Sequence, residues 1–352
     1  MNDLVHRETA GKAGGLLPVI DLAAEREGGR DARLAVAESI DAAFRSVGFC
    51  YITNHGIPAA TIDNAFNVAE RFFKLPSERK NSVAVNASYM GYTGQDKSNQ
   101  FHVSYSADGS ISRAGAYKST SKESYVTMWE AAERASSDAG RGSVNVWPEF
   151  MPEFRAGLFT YFGEFRRIGD RIMTLLAMAL RLEDEFFRTR FEDPLSLCIA
   201  NYYPPLSGEN VRAGMVSLPA HSDYSCITMV VQDDVGGLEV LERSSQRWIA
   251  APPIPGSFVL NVGDLLARWS NNRYVSTPHR VMNYGRSGRA RISLPVTHNP
   301  GAAVMVDPRE LGVSEEACLY PPVECGIYQR MRFEEIYAPR SAADGVPAFE
   351  SK

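Results

Sequence analysis

The 352-residue sequence contains no apolar run of about 18 residues, so no membrane-spanning helix is expected. It has no block of lysine and arginine interleaved with aromatics, and its formal net charge is −5. Neither nucleic acid nor an anionic membrane surface is therefore an expected partner. The stretch Met1 to Gly15 lacks the apolar core of a signal peptide. Cysteines number five, an odd count, and no two stand as Cys-x-x-Cys. That pattern reads as free thiols in a reducing, cytoplasmic setting. No internal repeat and no low-complexity tract is visible. Histidine is scarce, with six in all: His6, His55, His102, His221, His279 and His298. So few imidazoles make any clustering of them informative.

What is present divides into a mainly helical first half and a strand-rich second half. Leu17–Leu22 reads as a short opening strand and Phe49–Ile52 as another, closed by the turn-like Asn54-His55-Gly56-Ile57-Pro58. Helical spacing links Leu34, Ala37, Ile40, Phe44 and Val47, then Ile62, Ala65, Phe66, Ala69, Phe72 and Phe73. A long third helix carries Phe154, Leu158, Phe162, Phe165, Ile168, Ile172 and Leu175 on one stripe, with Pro152 in its first turn. Between them, residues 81–142 are irregular. Their aromatic portion, 89–129, is either a surface excursion or a lid. From Leu195 onward short strands are expected at 197–203, 226–231, 238–241, 248–250, 257–262, 279–283 and 290–297, separated by glycine and proline turns. Such spacing suggests a sandwich or barrel.

Two elements carry chemistry. In Pro219-Ala220-His221-Ser222-Asp223 the His-x-Asp spacing would put both side chains on one face of a strand. Chance supplies His-x-Asp readily, but His279 opens another expected strand. Two imidazoles and one carboxylate form a facial triad that leaves coordination positions open, the arrangement suited to Fe(II). Zinc, which favours a tetrahedral site, is the competing metal. His55, in a glycine and proline turn, reads as structural. The second element is Arg289-Ala290-Arg291-Ile292-Ser293-Leu294-Pro295-Val296, whose alternation puts Arg291 and Ser293 on one face and apolar residues on the other. An inward arginine requires an anion, which is either a structural Asp or Glu or the carboxylate of a bound molecule.

Taken in order, these motifs resemble the isopenicillin N synthase-like branch of the 2-oxoglutarate/iron(II)-dependent dioxygenases. Leu17-Pro18-Val19-Ile20-Asp21 is similar to the family's opening strand, and Gly48–Ile57 to its GF-x-x-(I/V)-x-NHGI signature. Phe72-Phe73-Lys74-Leu75-Pro76 resembles the next helix end, and Asn201-Tyr202-Tyr203-Pro204 the N-x-YP motif. His221-x-Asp223 with His279 resembles the iron triad, and Arg291-x-Ser293 the R-x-S motif. Tyr320-Pro321-Pro322 and Gly326-Ile327-Tyr328 resemble the entry to the C-terminal helix. The likeness spans roughly residues 16–340.

The resemblance implies a distorted double-stranded β-helix (jelly roll, cupin-like) core flanked by helices. Residues 16–130 would form an N-terminal helical or mixed region, and 150–340 the oxygenase domain, as one integrated catalytic unit. It implies Fe(II) on His221, Asp223 and His279, with 2-oxoglutarate and O2 as co-substrates. Arg291, Ser293 and Tyr203 would hold 2-oxoglutarate, and Asn201 would support that pocket. The implied reaction oxidises a C–H bond of a small molecule, a secondary metabolite, by hydroxylation, desaturation or ring formation, with release of succinate and CO2. Tyr224, Thr297, His298 and Tyr328 are the expected substrate contacts. Gln232–Leu238 resembles a family turn and reads as structural. The alternatives are a synthase-type Fe(II) oxidase that binds a substrate carboxylate at R-x-S without 2-oxoglutarate, or an inactive barrel serving as a binding protein.

Overall fold

A computed structural model describes residues 17–94, 101–105, 111–116, 122–130, 145–183, 185–205, 217–282 and 288–337. In chain order the elements begin with β1 (Val19–Asp21), α1 (Ala23–Glu27), α2 (Arg30–Ser46), β2 (Phe49–Thr53), α3 (Ala59–Phe73) and α4 (Ser77–Asn81). The strands β3 (Gly91–Thr93), β4 (Phe101–Tyr105), β5 (Ile111–Ala116) and β6 (Glu123–Met128) follow, then α5 (Pro152–Leu180), α6 (Phe186–Arg190), β7 (Leu197–Tyr203) and β8 (Leu218–His221). Next come β9 (Ile227–Gln232), β10 (Leu238–Glu242), β11 (Arg247–Ala250), β12 (Ser257–Val262) and α7 (Asp264–Trp269). The chain closes with β13 (His279–Val281), β14 (Arg291–His298), β15 (Met305–Val306), β16 (Val323–Glu324) and α8 (Cys325–Tyr337).

Two sheets form the core. The larger has the order β1-β2-β12-β9-β14-β7-β6-β3, and the smaller β11-β10-β13-β8. Apart from the parallel β1–β2 pair, their ladders are antiparallel. Non-sequential neighbours such as β12 between β2 and β9 are the crossovers of a jelly roll, and helices cover the outer face of the large sheet. Residues 81–142 depart from the irregular reading, since β3 and β6 extend the large sheet at one edge. The remainder of the proposed 89–129 lid falls largely outside the described residues.

The helix α5 is the outer support. Phe154, Leu158, Tyr161, Phe162, Phe165, Ile168 and Ile172 recur at helical spacing and are all buried. Each large apolar side chain so buried contributes about 1.5–3 kcal/mol. Pro152 occupies its first turn, where the missing N–H is no loss, and Arg181 ends it in the left-handed region at φ 58°. Tyr161 reaches the sheet and donates to the carbonyl of Leu294 at 2.6 Å. Phe72 of α3 stacks on Phe154 with ring centroids 4.5 Å apart, and Tyr125 of β6 meets the same ring edge-on. This aromatic wall fixes which face of the large sheet points outward, and hence which residues face the smaller sheet.

Candidate metal centre

The smaller sheet brings two histidines together. In the β8–β13 ladder His221 lies directly opposite His279, with ring centroids 4.2 Å apart. The strand β8 stops at His221, so Asp223 lies in the bend beyond it rather than on the same pleat. The carboxylate is aimed by its partners instead. Asn261 donates to Asp223 Oδ2 at 2.8 Å, and the amide of Asp264 donates to the Asp223 carbonyl at 2.7 Å. Asp223 Oδ1 then stands 3.8 Å from His221 Nε2 and 3.7 Å from His279 Nε2. Among the described residues this is the one cluster of three such ligand atoms, all within 4.8 Å of one another.

The donor chemistry fits a divalent metal. His221 Nδ1 lies 2.8 Å from the Pro219 carbonyl, and His279 Nδ1 lies 3.4 Å from that of Thr277. A carbonyl only accepts, so each Nδ1 carries a hydrogen and Nε2 is left as the ring atom that can reach a metal. Burial, then the adjacent His279, pushes His221 down to about 3, so it stays neutral over the physiological range. Burial pushes the Asp223 carboxyl up, yet His279, His221, Asn261 and Thr228 outweigh it and hold it below its ordinary value. A neutral imidazole and a carboxylate held ionised are what metal coordination requires. Phe49 meets the His279 ring edge-on at 5.3 Å and limits its rotation.

The facing sheet carries the second constellation. In the β14–β7 ladder Arg291 pairs with Tyr203 and Ser293 with Asn201, so these four share one pleat face. Arg291 is only 1% exposed. Its Nε donates to the Gly236 carbonyl at 2.6 Å, and its two terminal nitrogens reach Ser293 Oγ and Gln232 Oε1 at 3.2 Å. Its guanidinium carbon lies 4.9 Å from the Tyr203 ring centre. All those acceptors are neutral, and among the described residues no carboxylate forms an ion pair with Arg291. Asp233, an acid that feels its charge, is turned onto the backbone amides of Ile292 and Val235. A buried guanidinium oriented by neutral groups and lacking an anion is a fork prepared for a ligand carboxylate.

Other expected contacts scatter. Tyr224 and Tyr328 both lie against Arg332, their ring centres 4.8 and 5.5 Å from its guanidinium carbon, and Arg332 in turn pairs with Asp264 at 3.2 Å. This places them beside Asp223. Thr297 and His298 fare differently. Thr297 Oγ1 accepts from the Leu197 and Asn299 nitrogens at 3.1 and 3.3 Å. His298 lies on the opposite pleat face from Arg291 and Ser293, fully buried between Gly169 of α5 and Phe191. Its Nδ1 meets Ser196 Oγ at 3.1 Å and its Nε2 lies 3.1 Å from Asp170. Position in the sequence just past R-x-S suggested a pocket residue, but the two-residue pleat turns His298 to the helix side. His55 is structural, as expected: its Nδ1 accepts the Ile57 amide at 3.1 Å.

Sequence reading missed Asn261, Gln232 and the Gly236 carbonyl. The signal for Asn261 was one polar residue within the apolar strand Phe258-Val259-Leu260-Asn261-Val262. The Gly236-Gly237 turn does more than reverse the chain. Gly237 sits at φ 92°, and a Cβ there would lie 2.3 Å from the Met282 carbonyl, so glycine is required for the turn that aims the Gly236 oxygen at Arg291.

Comparison with known proteins follows the same division. Residues 194–300 match the 2OG-Fe(II) oxygenase superfamily model, and residues 17–149 match that of the non-haem dioxygenase in morphine synthesis N-terminal region. The chain is 30% identical over 304 residues to a homoarginine-6-hydroxylase of Glycine max, covering 83% of this chain and 88% of that protein. It is also 30% identical to flavanone 3-dioxygenase 2 of Oryza sativa, covering 91% and 82%. A full-length Neurospora crassa protein crystallised with alpha-KG and thymine superposes with a TM-score of 0.78 at 26% identity, covering 92% and 98%. A Caulobacter crescentus structure described as a putative 2OG-Fe(II) oxygenase family protein gives 0.75 at 27%, covering 92% and 99%.

Proposed function

The chain belongs to the 2-oxoglutarate/Fe(II) oxygenase superfamily, and from that premise we propose that His221, Asp223 and His279 are its iron ligands and that Arg291, Ser293 and Tyr203 hold its 2-oxoglutarate. The protein is an oxidoreductase that uses Fe(II), 2-oxoglutarate and O2. The observation that carries the residue assignment is the convergence of three ligand atoms across the barrel from a buried arginine that has no ion-pairing carboxylate among the described residues. Bound iron supplies the oxidative decarboxylation of 2-oxoglutarate to succinate and CO2, and with it the power to break a substrate C–H bond.

The chain's own residues do the placing. His221 and His279 offer their Nε2 atoms, and Asp223 offers Oδ1 while Asn261 occupies Oδ2. Arg291 would grip the far carboxylate through its two terminal nitrogens, with Ser293 and Tyr203 alongside. Asn201 supports that pocket from the neighbouring position on β7. Water exclusion falls to the buried ring of Tyr203 and to α8, which Arg332 ties to Asp264 beside the ligands.

The substrate we assign is a small molecule of secondary metabolism, and the setting cytoplasmic. Support for the substrate comes from relatives named for a flavanone and for homoarginine, and support for the setting from the free cysteines, four of them buried. We also read residues 16–130 and 150–340 as one catalytic unit, because β1, β2, β3 and β6 complete the sheet that carries Arg291. The synthase-type and inactive-barrel alternatives are not favoured by further relatives named as 2-oxoglutarate-Fe(II) type oxidoreductases.

Succinate formation from 2-oxoglutarate by the full chain, with and without Fe(II), tests the reading. Iron-dependent release that Asp223→Ala abolishes is the expected result, and release unaffected by Asp223→Ala overturns the ligand assignment.

A further inference from the structure

One cation on the inner face is not used by either constellation. In the β6–β7 ladder the last pair is Glu123 with Tyr202, and Ser124 lies opposite Asn201. Lys122 immediately precedes β6, and continuing this register by one residue would set it beside Tyr203, on the face that Ser124, Asn201 and Tyr203 share. The direction is fixed from the other side. Glu123 points outward and is tied down by Lys80 at 2.5 Å and by the Tyr92 hydroxyl at 2.6 Å. With Glu123 anchored on the helix face, carrying the alternation one residue past the end of the ladder puts Lys122 on the inner face.

Lys122 is partly buried, and among the described residues it has no ion-pair or hydrogen-bond partner. A buried cation is costly without an anion. Glu123, its sequence neighbour, is spent on Lys80, and Asp264 on Arg332. The two carboxylates of 2-oxoglutarate are also answered, one by Arg291 and the other by iron. A second observation marks the same patch. Thr93, Ser124 and Asn201 form a row across β3, β6 and β7 next to Lys122 and Tyr203. Thr93 Oγ1 and Asn201 Oδ1 are buried there without a hydrogen-bond partner. Thr93 is 3% exposed and Asn201 5%. Orphaned buried oxygens beside an unpaired ammonium describe a binding surface whose ligand supplies a negative charge and at least one hydrogen-bond donor.

We propose that Lys122 anchors a carboxylate of the substrate that is oxidised, with Thr93 receiving one of its hydrogen-bonding groups. The substrate is thus a small organic acid that carries a hydroxyl, amine or amide. This rests on the reading of His221, Asp223 and His279 as the iron site.

The test uses the full chain loaded anaerobically with Fe(II) and 2-oxoglutarate, whose visible charge-transfer band reports co-substrate binding independently of turnover. A panel of aliphatic and aromatic monocarboxylates, each paired with its neutral primary amide, is titrated while perturbation of that band is followed. Wild type is expected to bind at least one acid about tenfold or more tightly than its amide. Lys122→Met is expected to erase that preference while keeping the 2-oxoglutarate affinity within about twofold, and Lys122→Arg to restore part of it. An intact band with no acid preference overturns the proposal. So does a Lys122→Met protein whose loss lies in 2-oxoglutarate affinity, because the anion would then be the co-substrate's. Absence of the band in wild type sinks the iron-site reading itself, and the proposal with it.

Discussion

Asn261 donates its side-chain amide to Asp223 Oδ2 at 2.8 Å, which leaves Oδ1 alone facing the two imidazoles. Asp223 stands two residues past the last residue of β8, outside the ladder, and the neighbouring strand β12 supplies its aim. Asn261→Ala should weaken Fe(II) binding by roughly 10- to 100-fold, the usual effect of losing a group that orients a metal ligand. Asn261→Asp should be worse, since it sets a second carboxylate against the first. Metal titration of the apo protein under anaerobic conditions measures both, and an unchanged affinity in Asn261→Ala would show that Asp223 is oriented by other means.

Arg291 has neutral acceptors on each side and no ion-pairing carboxylate among the described residues. Arg291→Met should therefore leave the fold intact and weaken 2-oxoglutarate by about 2–5 kcal/mol, the range for removing one partner of a buried charged pair. Arg291→Lys should recover little, because a lysine has no planar fork to meet a carboxylate at two points. Calorimetric titration with 2-oxoglutarate decides this. Affinity retained in Arg291→Met would return R-x-S to a purely structural role.

Burial pulls Lys122 down to about 8 from its ordinary 10.5. In that window the unfolded chain binds more protons than the folded one, so this group makes stability rise with pH between about 8 and 10.5. Below about 8 both states are charged, and the folded state bears the full cost of the buried ammonium. Lys122→Met should thus be more stable than wild type at neutral pH, and its advantage should shrink as pH climbs through that window. Urea denaturation of the apo proteins across the pH range checks the sign. A Lys122→Met protein less stable at neutral pH would mean that the ammonium has a partner in the folded chain.

Gly169 of α5 sits against His298, where an added Cβ would lie 2.7 Å from two ring carbons. The ring is wedged by Phe191 and held at Ser196, so it cannot swing away. Gly169→Ala should destabilise by about 1–3 kcal/mol through overpacking, although alanine is the better helix former. Denaturant melts with unchanged iron affinity are expected. Equal stability would show the ring freer than its contacts indicate.

Much of this was legible in the sequence because period and spacing are local. The strands Leu197–Tyr203 and Ser257–Val262 fall where alternation and turn residues put them, as does the long helix begun at Pro152. Arg291 and Ser293 face inward as their spacing required. What was hidden depends on contacts between distant segments. β3 and β6 join the sheet through pairing with β7, which nothing in their glycine- and serine-rich surroundings announces. Asn261 matters because β12 passes behind Asp223. His298 was misplaced by one step of the pleat: a histidine just beyond R-x-S looks close to the site along the chain but belongs to the helix-facing side. Lys122 gave no signal of its own, and its side is inferred from Glu123, whose carboxylate is tied to Lys80 on the opposite face.

Diffraction from crystals soaked anaerobically in Fe(II), recorded at the iron absorption edge, tests the central assignment most directly. The account predicts one strong anomalous peak within bonding distance of His221 Nε2, His279 Nε2 and Asp223 Oδ1, lost in Asp223→Ala. A peak elsewhere, or one that persists at this position without the carboxylate, would contradict it.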